Sequence, residues 1–311
     1  MRLSHRDTMP GDLRGAVIAL GNFDGFHLGH QRVVAEAVAW ARAEGRPVLV
    51  ATFDPHPVRH FAPRVPPFRL TTLDQREALF EAAGADATLV FDFGEELATM
   101  GADEFVSDLL SRHLGASGVV TGEDFTFGRG RGGNIDVLRA VGETCGISAR
   151  QVGPVIDGGQ VVSSSRIRDA LKAGDCETAT RLLTRPFAIR KPVIHGDKRG
   201  RTIGYPTANM ELGGYLRPRF GIYAVTARVL ATGQILKGAA NLGVRPTFDP
   251  PKELLEPFFF DFAGDLYGEQ LDIEFRHFLR PEQRFDGMEA LTRQMEADCE
   301  RARKLLGAPA K

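Results

Sequence analysis

The chain has almost no net charge: 39 Lys and Arg stand against 40 Asp and Glu, a formal −1 over 311 residues. No global field therefore recruits nucleic acid or an anionic membrane, and small phosphorylated ligands would need only local cations. Long hydrophobic runs are also lacking. Nothing approaches about 18 consecutive apolar residues, and the opening MRLSHRDTMPGDLRG holds no continuous apolar h-region, so neither a membrane span nor a secretory signal is expected. Cysteine is scarce. Cys145, Cys176 and Cys299, odd in number and scattered, exclude a disulfide framework and fit a reducing, cytoplasmic setting as small buried or half-buried residues. Internal repeats and long low-complexity linkers are absent too, and the length suggests two domains, each large enough for its own core.

What is present begins with GNFDGFHLGH, Gly21 to His30, between an apolar run and a helix-patterned one. Ala16 to Leu20 (AVIAL) reads as a buried strand, and Val33, Val34, Ala37, Val38 and Ala41 recur at helical spacing until Gly45 stops the helix. The turn thus sits at a helix N-terminus, where unpaired amides and the dipole favour anions. Gly21, Gly25 and Gly29 permit close backbone approach or positive φ. His27 and His30, three apart, can face one ligand and donate to a polyphosphate. Two other readings stand beside this one. The histidines could ligate zinc, although the three cysteines supply no paired motif, or the turn could be a tight connection with exposed histidines.

Up to about Arg185, strand-like and helix-like segments alternate. Strands are expected at Val48 to Phe53, Ala87 to Phe91 and Gly118 to Thr121, and helices at Asp74 to Ala83 and Asp103 to Leu114. Alternation of this kind predicts an α/β domain with a doubly wound parallel sheet, ligands lying beyond the carboxyl ends of the strands. Past Pro186 the period changes. Tyr223, Val225, Ala227 and Val229 alternate, ATGQ at Ala231 to Gln234 reads as a hairpin turn, and Leu271, Ile273 and Phe275 alternate again. An antiparallel β-barrel is expected, closed by a terminal helix whose stripe of Leu291, Met295, Cys299, Ala302 and Leu306 packs on it as core. The boundary falls at a short connection near Arg185, giving domains 1–185 and 186–311.

Two tempting signals are weak. GRGRGG, Gly128 to Gly133, spells a dinucleotide fingerprint but follows the polar loop TGEDFTF and not the first strand of a βαβ unit. GDKRGRTIG, Gly196 to Gly204, lacks the spacing of a P-loop and does not enter a helix.

The wording of GNFDGFHLGH resembles the H-x-G-H signature of the nucleotidyltransferase superfamily and, through GNFDG, the bacterial FAD synthetases. TFDPHP (Thr52 to Pro57), GEDFTFGRGRGG (Gly122 to Gly133) and SSSRIR (Ser163 to Arg168) resemble that family's motifs in order, with Ser165 where the family usually has Thr. SSSRIR alone would read as an N-capped surface helix. The resemblance implies ATP contacts at Gly21, Asn22, Phe23, Gly29, Ser164, Ser165 and Arg166, catalytic roles for His27, His30 and Arg168, and a triphosphate cradle opposite the histidines. It makes TFDPHP and GEDFTFG the loops for FMN and adenine, with flavin contacts at Asp54, Pro55, His56, Asp124 and Phe125. A proline-fixed turn and an aromatic core plug are the plainer readings of those loops.

The second half resembles riboflavin kinase. HGDKRGRTIGYPTANM (His195 to Met210), GIYAV (Gly221 to Val225), NLGVRPTF (Asn241 to Phe248) and DLYGEQLDIEF with LRPEQRF follow the family order. The resemblance implies a nucleotide loop with Gly196, Lys198, Gly204 and Pro206, Mg²⁺ at Thr207 and Asn209, and Glu256 as general base. Thr207 and Asn209 alternate, so their oxygens can point the same way. The chain departs from the family at LTRPF (Leu183 to Phe187), at RKP (Arg190 to Pro192) and after Glu256, where Pro257 and Phe258 replace the usual V-H; a proline there suggests an edge strand or bulge.

The expected activity is bifunctional. Riboflavin is phosphorylated by ATP to FMN in the C-terminal domain, and FMN is adenylylated by a second ATP to FAD and pyrophosphate in the N-terminal one, with Mg²⁺ in both. A different nucleotidyltransferase, acting on nicotinamide mononucleotide or phosphopantetheine, would not carry the P-T-A-N barrel. A flavin-nucleotide sensor without turnover would not need His27, His30, Thr207, Asn209 and Glu256 together. The expected partners are riboflavin, FMN and ATP, with no nucleic acid and no membrane; the sequence leaves room for a transient homo-oligomer without specifying one.

Overall fold

The computed structural model describes residues 1–195, 207–245 and 252–308. The chain divides into two compact units, one formed by Met1–Pro66 and Leu73–Ser163, the other by Pro67–Thr72 and Ser164–Lys311.

The first unit runs β1 (Arg2–Ser4), β2 (Val17–Leu20), α1 (Leu28–Ala43), β3 (Val48–Phe53), α2 (Pro57–Phe61), α3 (Leu73–Ala82), β4 (Ala87–Phe91), α4 (Glu95–Thr99), α5 (Ala102–Glu104), β5 (Gly118–Gly122), α6 (Ile135–Cys145), β6 (Ser148–Val152), and a small hairpin of β7 (Ile156–Asp157) and β8 (Gln160–Val161). Six strands form one sheet in the order β1-β4-β3-β2-β5-β6, every pair parallel. The inner strands are mostly apolar because both faces are covered. Val17 and Ala19 of β2 pack with Val34, Ala37 and Val38 of α1, while Ile18 and Leu20 enter the opposite core with Phe105, Val106 and Leu110. That two-sided packing is the doubly wound arrangement the alternation implies. The expected helix from Asp103 to Leu114 is α5 followed by a π-helical run, Phe105–His113, whose widened register shows where Leu114 N–H donates to Leu109 O at 2.9 Å.

In the second unit come α7 (Ser164–Ala173), α8 (Cys176–Leu183), β9 (Phe187–Pro192), β10 (Met210–Glu211), β11 (Gly221–Val229), β12 (Ile235–Arg245), β13 (Lys252–Phe259), β14 (Gln270–Arg280) and α9 (Met288–Leu305). The barrel order is β10-β13-β12-β11-β14-β9, with antiparallel pairs. A bridge in which Ile194 N–H donates to Asn209 O at 2.8 Å nearly closes it. The Pro186 period change thus marks the start of the barrel, and α8 packs on β9 and β14.

Pro257 does not sit on an edge strand or a bulge. β13 is an inner strand whose pairing with β12 runs in one register from Arg245↔Lys252 to Gly238↔Phe259. The proline is tolerated because of direction. Its carbonyl accepts from Ala208 N–H at 3.0 Å, so its missing donor faces the side of β10, a strand of only two residues.

Gly118 of β5 lies under the indole of Trp40, and a Cβ there would stand 2.6 Å from Trp40 Cη2. The indole cannot yield easily, since its Nε1 donates to Glu44 at 2.6 Å and the Arg150 guanidinium lies 4.1 Å above the ring. Gly118→Ala should therefore destabilise the first unit by about 1–3 kcal/mol through overpacking. Urea unfolding followed by the fluorescence of Trp40, the single tryptophan, measures it; an unchanged midpoint would mean that the ring moves aside freely.

Candidate active sites

In the parallel sheet the strand order reverses at β2, whose neighbours are β3 and β5. Ligands in such sheets lie beyond the carboxyl ends of the strands at this reversal. The three loops singled out in the first half leave from these ends: Gly21 to His30 after β2, the Asp54 loop after β3, and the Gly122 to Gly133 loop after β5.

His27 is the N-cap of α1, and its Nδ1 accepts from His30 N–H at 3.4 Å. The two imidazoles stack with centroids 3.6 Å apart and planes 20° off parallel, so the histidines are brought together at the positive end of the helix. Gly29 is what permits this. A Cβ there would meet His27 Cε1 at 3.1 Å and Nδ1 at 3.2 Å. The approach to the helix is strained: Phe23 has φ 49° and Phe26 φ 43°, beside Gly25 at 86°. Both aromatic rings are buried edge-on against Phe80 of α3, with centroids 5.7 and 5.2 Å away. Non-glycine residues persist in this region of φ only where the surroundings hold them, and such positions cluster at ligand sites.

Arg76 of α3 is a functional candidate that sequence reasoning missed. It is buried, 3% exposed, and its Nη1 donates to Asn22 O (3.1 Å), Thr52 Oγ1 (2.6 Å) and Phe53 O (3.4 Å), while Nη2 reaches Asp54 Oδ1 at 3.3 Å. In the sequence it is one charge among Asp74, Gln75 and Glu77 on a polar-looking helix, and no spacing marks it.

The remaining first-half residues are dispersed over the loops. His56 caps α2, its Nδ1 accepting from Val58 N–H at 3.2 Å, with Pro55 exposed beside it. Asp124 is exposed, and Phe125 is half-buried with its ring stacked on Phe127 at 6.0 Å. Ser164, Ser165, Arg166 and Arg168 open α7, which belongs to the second unit. There the Arg168 guanidinium donates from Nε to Phe68 O at 2.9 Å and lies 5.2 Å from the Phe68 ring centroid.

The barrel holds a cavity of about 380 Å³ between its strands and α9, walled by Ile222, Phe258, Phe285, Leu291 and Met295. Its polar lining includes Glu256, Asn241 and Arg245, with Arg280, Glu282 and Asp298. Glu256 stands opposite Asn241 in the register and accepts a short bond from Arg245 Nη2, whose Nη1 lies 3.5 Å from Glu282 Oε1. With its amide oxygen toward the guanidinium, Asn241 accepts from Arg245 Nη1 at 3.1 Å. Thr207 lines this cavity and also a smaller one of about 70 Å³ with Asp265 and Tyr267. The His195 ring lies over Tyr267, centroids 3.9 Å apart. Asn209 is buried at the barrel seam. Gly196, Lys198, Gly204 and Pro206 lie outside the described residues. Among the described residues, no group of three or more His, Cys, Asp or Glu is placed to hold a metal ion.

The terminal-helix stripe is not plain core, as its pattern suggested. Ala302, Cys299 and Leu306 pack with Ala224, Ala239 and Phe260, but Leu291, Met295 and Cys299 face the cavity. Helical spacing identifies a buried face without saying whether protein or ligand covers it. Neighbouring acids are engaged elsewhere: Glu253 pairs with Arg217 at 2.7 Å and Asp261 with Arg303 at 2.8 Å.

A parallel sheet with loops gathered at its carboxyl ends and a β-barrel with an apolar, acid-bearing pocket are the features with which the chain meets its relatives. Residues 9–166 match the family model described as FAD synthetase and residues 183–306 that described as riboflavin kinase. Curated relatives named bifunctional riboflavin kinase/FMN adenylyltransferase include those of Escherichia coli K12 (38% identical, 94% of this chain and 93% of that one) and Pseudomonas fluorescens (41%, 94% and 93%). The Bacillus subtilis relative of the same name is 37% identical over 92% of this chain and 91% of its own. A crystal structure from Streptococcus pneumoniae described as a macrolide-efflux protein superposes with TM-score 0.85 at 31% identity, covering 96% of this chain and 97% of that one. Among the described residues here, no helix is long and apolar enough to cross a membrane. The chain belongs to the bifunctional riboflavin kinase/FMN adenylyltransferase family. It phosphorylates riboflavin to FMN and adenylylates FMN to FAD, with ATP as the other substrate.

Gly29→Ala should test the stacked histidines. Alanine is the better helix residue, yet its methyl would push on the His27 ring, and FAD formation from FMN should fall by about tenfold to a hundredfold. Steady-state assays with supplied FMN check this; full activity would show that His27 tolerates displacement.

Proposed function

We propose that residues 1–185 carry FMN adenylylation around His27 and His30, and that residues 186–311 carry riboflavin phosphorylation with Glu256 as general base. The observation that supports the kinase half most is the cavity: apolar walls of flavin size, Glu256 among its polar residues, and Thr207 shared with the smaller cavity.

In the barrel, the isoalloxazine ring lies between Phe258 and the α9 side chains, leaving the ribityl chain toward Glu256. A hydroxyl is a weak nucleophile, so Glu256 takes its proton as the oxygen attacks the γ-phosphate of ATP and ADP departs. Glu256 lines the cavity, whereas Glu253 and Asp261 do not. Thr207 and Asn209 would hold Mg²⁺, whose chemistry is to neutralise phosphate charge. The Thr207 hydroxyl beside the small cavity, with Asn209 two residues on, suits a cation that takes many of its ligands from phosphates and water.

In the first unit, FMN arrives with an anionic phosphate that needs no base. His27 and His30 donate to the α-phosphate oxygens as charge develops and pyrophosphate leaves, and the N-terminus of α1 adds its dipole. Asn22, Phe23 and the glycines of the turn shape the ATP contact, and Asp54, Pro55, His56, Asp124 and Phe125 face the flavin side. The roles of Ser164, Ser165, Arg166 and Arg168 rest on the family resemblance alone. A cytoplasmic setting, with no nucleic-acid or membrane partner, fits the near-zero charge and the free thiols.

Crossed assays separate the two sites. His30→Ala should lower FAD formation about a hundredfold to a thousandfold, the effect of removing one preorganised donor, and leave riboflavin phosphorylation intact. Glu256→Gln should lower riboflavin phosphorylation about a hundredfold to ten-thousandfold and spare the conversion of supplied FMN. Chromatographic separation of the flavins reads both, and an unaffected target reaction in either variant removes that residue from its role.

Thiol labelling tests the pocket directly. Cys299 lines the cavity and Cys145 lies in the other unit, whereas burial and then the nearby Glu177 and Asp175 push the Cys176 thiol up to about 12 and silence it. Saturating riboflavin should slow alkylation of Cys299, but not of Cys145, as followed by peptide mass spectrometry. Equal rates with and without riboflavin would place the flavin elsewhere.

A further inference from the structure

Arg76 is a cation almost wholly withdrawn from water, and burying a charge is costly unless its donors are matched. Its matches are unusual in kind. Apart from the Asp54 carboxylate they include the Asn22 and Phe53 carbonyls and the Thr52 hydroxyl, which itself donates to Asn22 O at 2.8 Å. Asn22 lies at the start of the turn that leaves β2, while Phe53 ends β3 and Asp54 begins the loop after it, and these adjacent strands are paired in parallel. One planar guanidinium therefore spans the exits of two neighbouring strands, a geometry its fork of donors permits and a lysine ammonium does not reproduce. An apolar side chain would fill the space at lower cost in charge burial but would leave the two exits free to move independently.

We propose that Arg76 is a positioning residue of adenylyl transfer: it fixes the nucleotide turn and the flavin loop in one frame, so that the FMN phosphate meets the ATP α-phosphate in line. This rests on the assignment of those two loops to ATP and FMN. In-line attack demands alignment within about 1 Å, and loss of it can cost a hundredfold without loss of any reacting group.

The test is Arg76→Lys in the full-length enzyme, assayed for FAD formation over ranges of ATP and of FMN, with Trp40 fluorescence reporting the fold of the same unit. The expected result is a tenfold to hundredfold fall in kcat per folded molecule with the KM for both substrates rising, beyond any fall in the unfolding midpoint, and unchanged riboflavin phosphorylation. A lower midpoint with wild-type kcat per folded molecule makes Arg76 a structural residue and overturns the inference. Should the lysine variant not fold, Thr52→Val removes the hydroxyl link between Arg76 and Asn22 at constant size; a fall in kcat in the same range supports the inference, and wild-type kcat overturns it. His30→Ala, assayed alongside, separates the two levels. Wild-type kinetics in Arg76→Lys beside an inactive His30→Ala overturns this inference alone, whereas full FAD formation in His30→Ala overturns the loop assignment and this inference with it.

Discussion

The ligand edge of the first unit depends on how the chain leaves β2. Phe23 and Phe26 are held at φ 49° and 43°, conformations that cost of the order of 1–3 kcal/mol each for a side-chain-bearing residue. Burying a phenylalanine side chain contributes about 1.5–3 kcal/mol, so anchoring both rings against Phe80 offsets the strain without a large surplus. The turn is thus an aromatic clamp with a deformed backbone. Its product is the position of His27 and His30 at the start of α1, with their rings stacked at the reversal of the strand order.

The barrel solves a different problem. Its cavity is apolar on the side of α9 and presents ionisable groups from β12 and β13, the combination that the proposed riboflavin site calls for. The helix is held at two points by paired charges, Arg280 with Asp298 at 2.7 Å and Arg303 with Asp261 at 2.8 Å. Leu291 and Met295 can therefore face a cavity while Ala302 and Leu306 pack in the core. Pro257 is part of the same economy. It follows Glu256 directly, and because its missing donor faces the two-residue β10, the pairing of Glu256 with Asn241 is undisturbed.

Much of the fold was legible because burial on two faces and burial on one write different periods. Val48 to Phe53 and Ala87 to Phe91 coincide with β3 and β4, apolar runs inside a covered sheet, and the alternation from Tyr223 to Val229 lies within β11. Edge strands were not legible: β1 has only three residues and β6 is largely exposed, so no apolar run marks them. The Gly21 to His30 turn was legible as a motif, while its geometry was not, since φ values at Phe23 and Phe26 are set by Phe80, more than fifty positions away. Arg76 and Arg245 escaped for a related reason. A basic residue carries no periodicity, and what makes each matter is a set of acceptors assembled from other strands. The face of α9 was misjudged because a cavity wall and a core wall share one spacing.

The division of labour between the two units follows from the nucleophiles. Riboflavin offers a neutral hydroxyl, so its site calls for a group that can accept a proton, the role proposed for Glu256 on the cavity wall. FMN offers a phosphate that is already charged, so a carboxylate base would repel it; the role proposed for His27 and His30, at a helix N-terminus, is donation instead. A single pocket serving both reactions would have to be acidic for the first and donor-rich for the second. Two units, one a parallel sheet with its ligand edge at helix starts and one a barrel with an acid on its inner strand, remove that conflict. The intermediate changes its own charge between them, and that change is what each site is built to recognise.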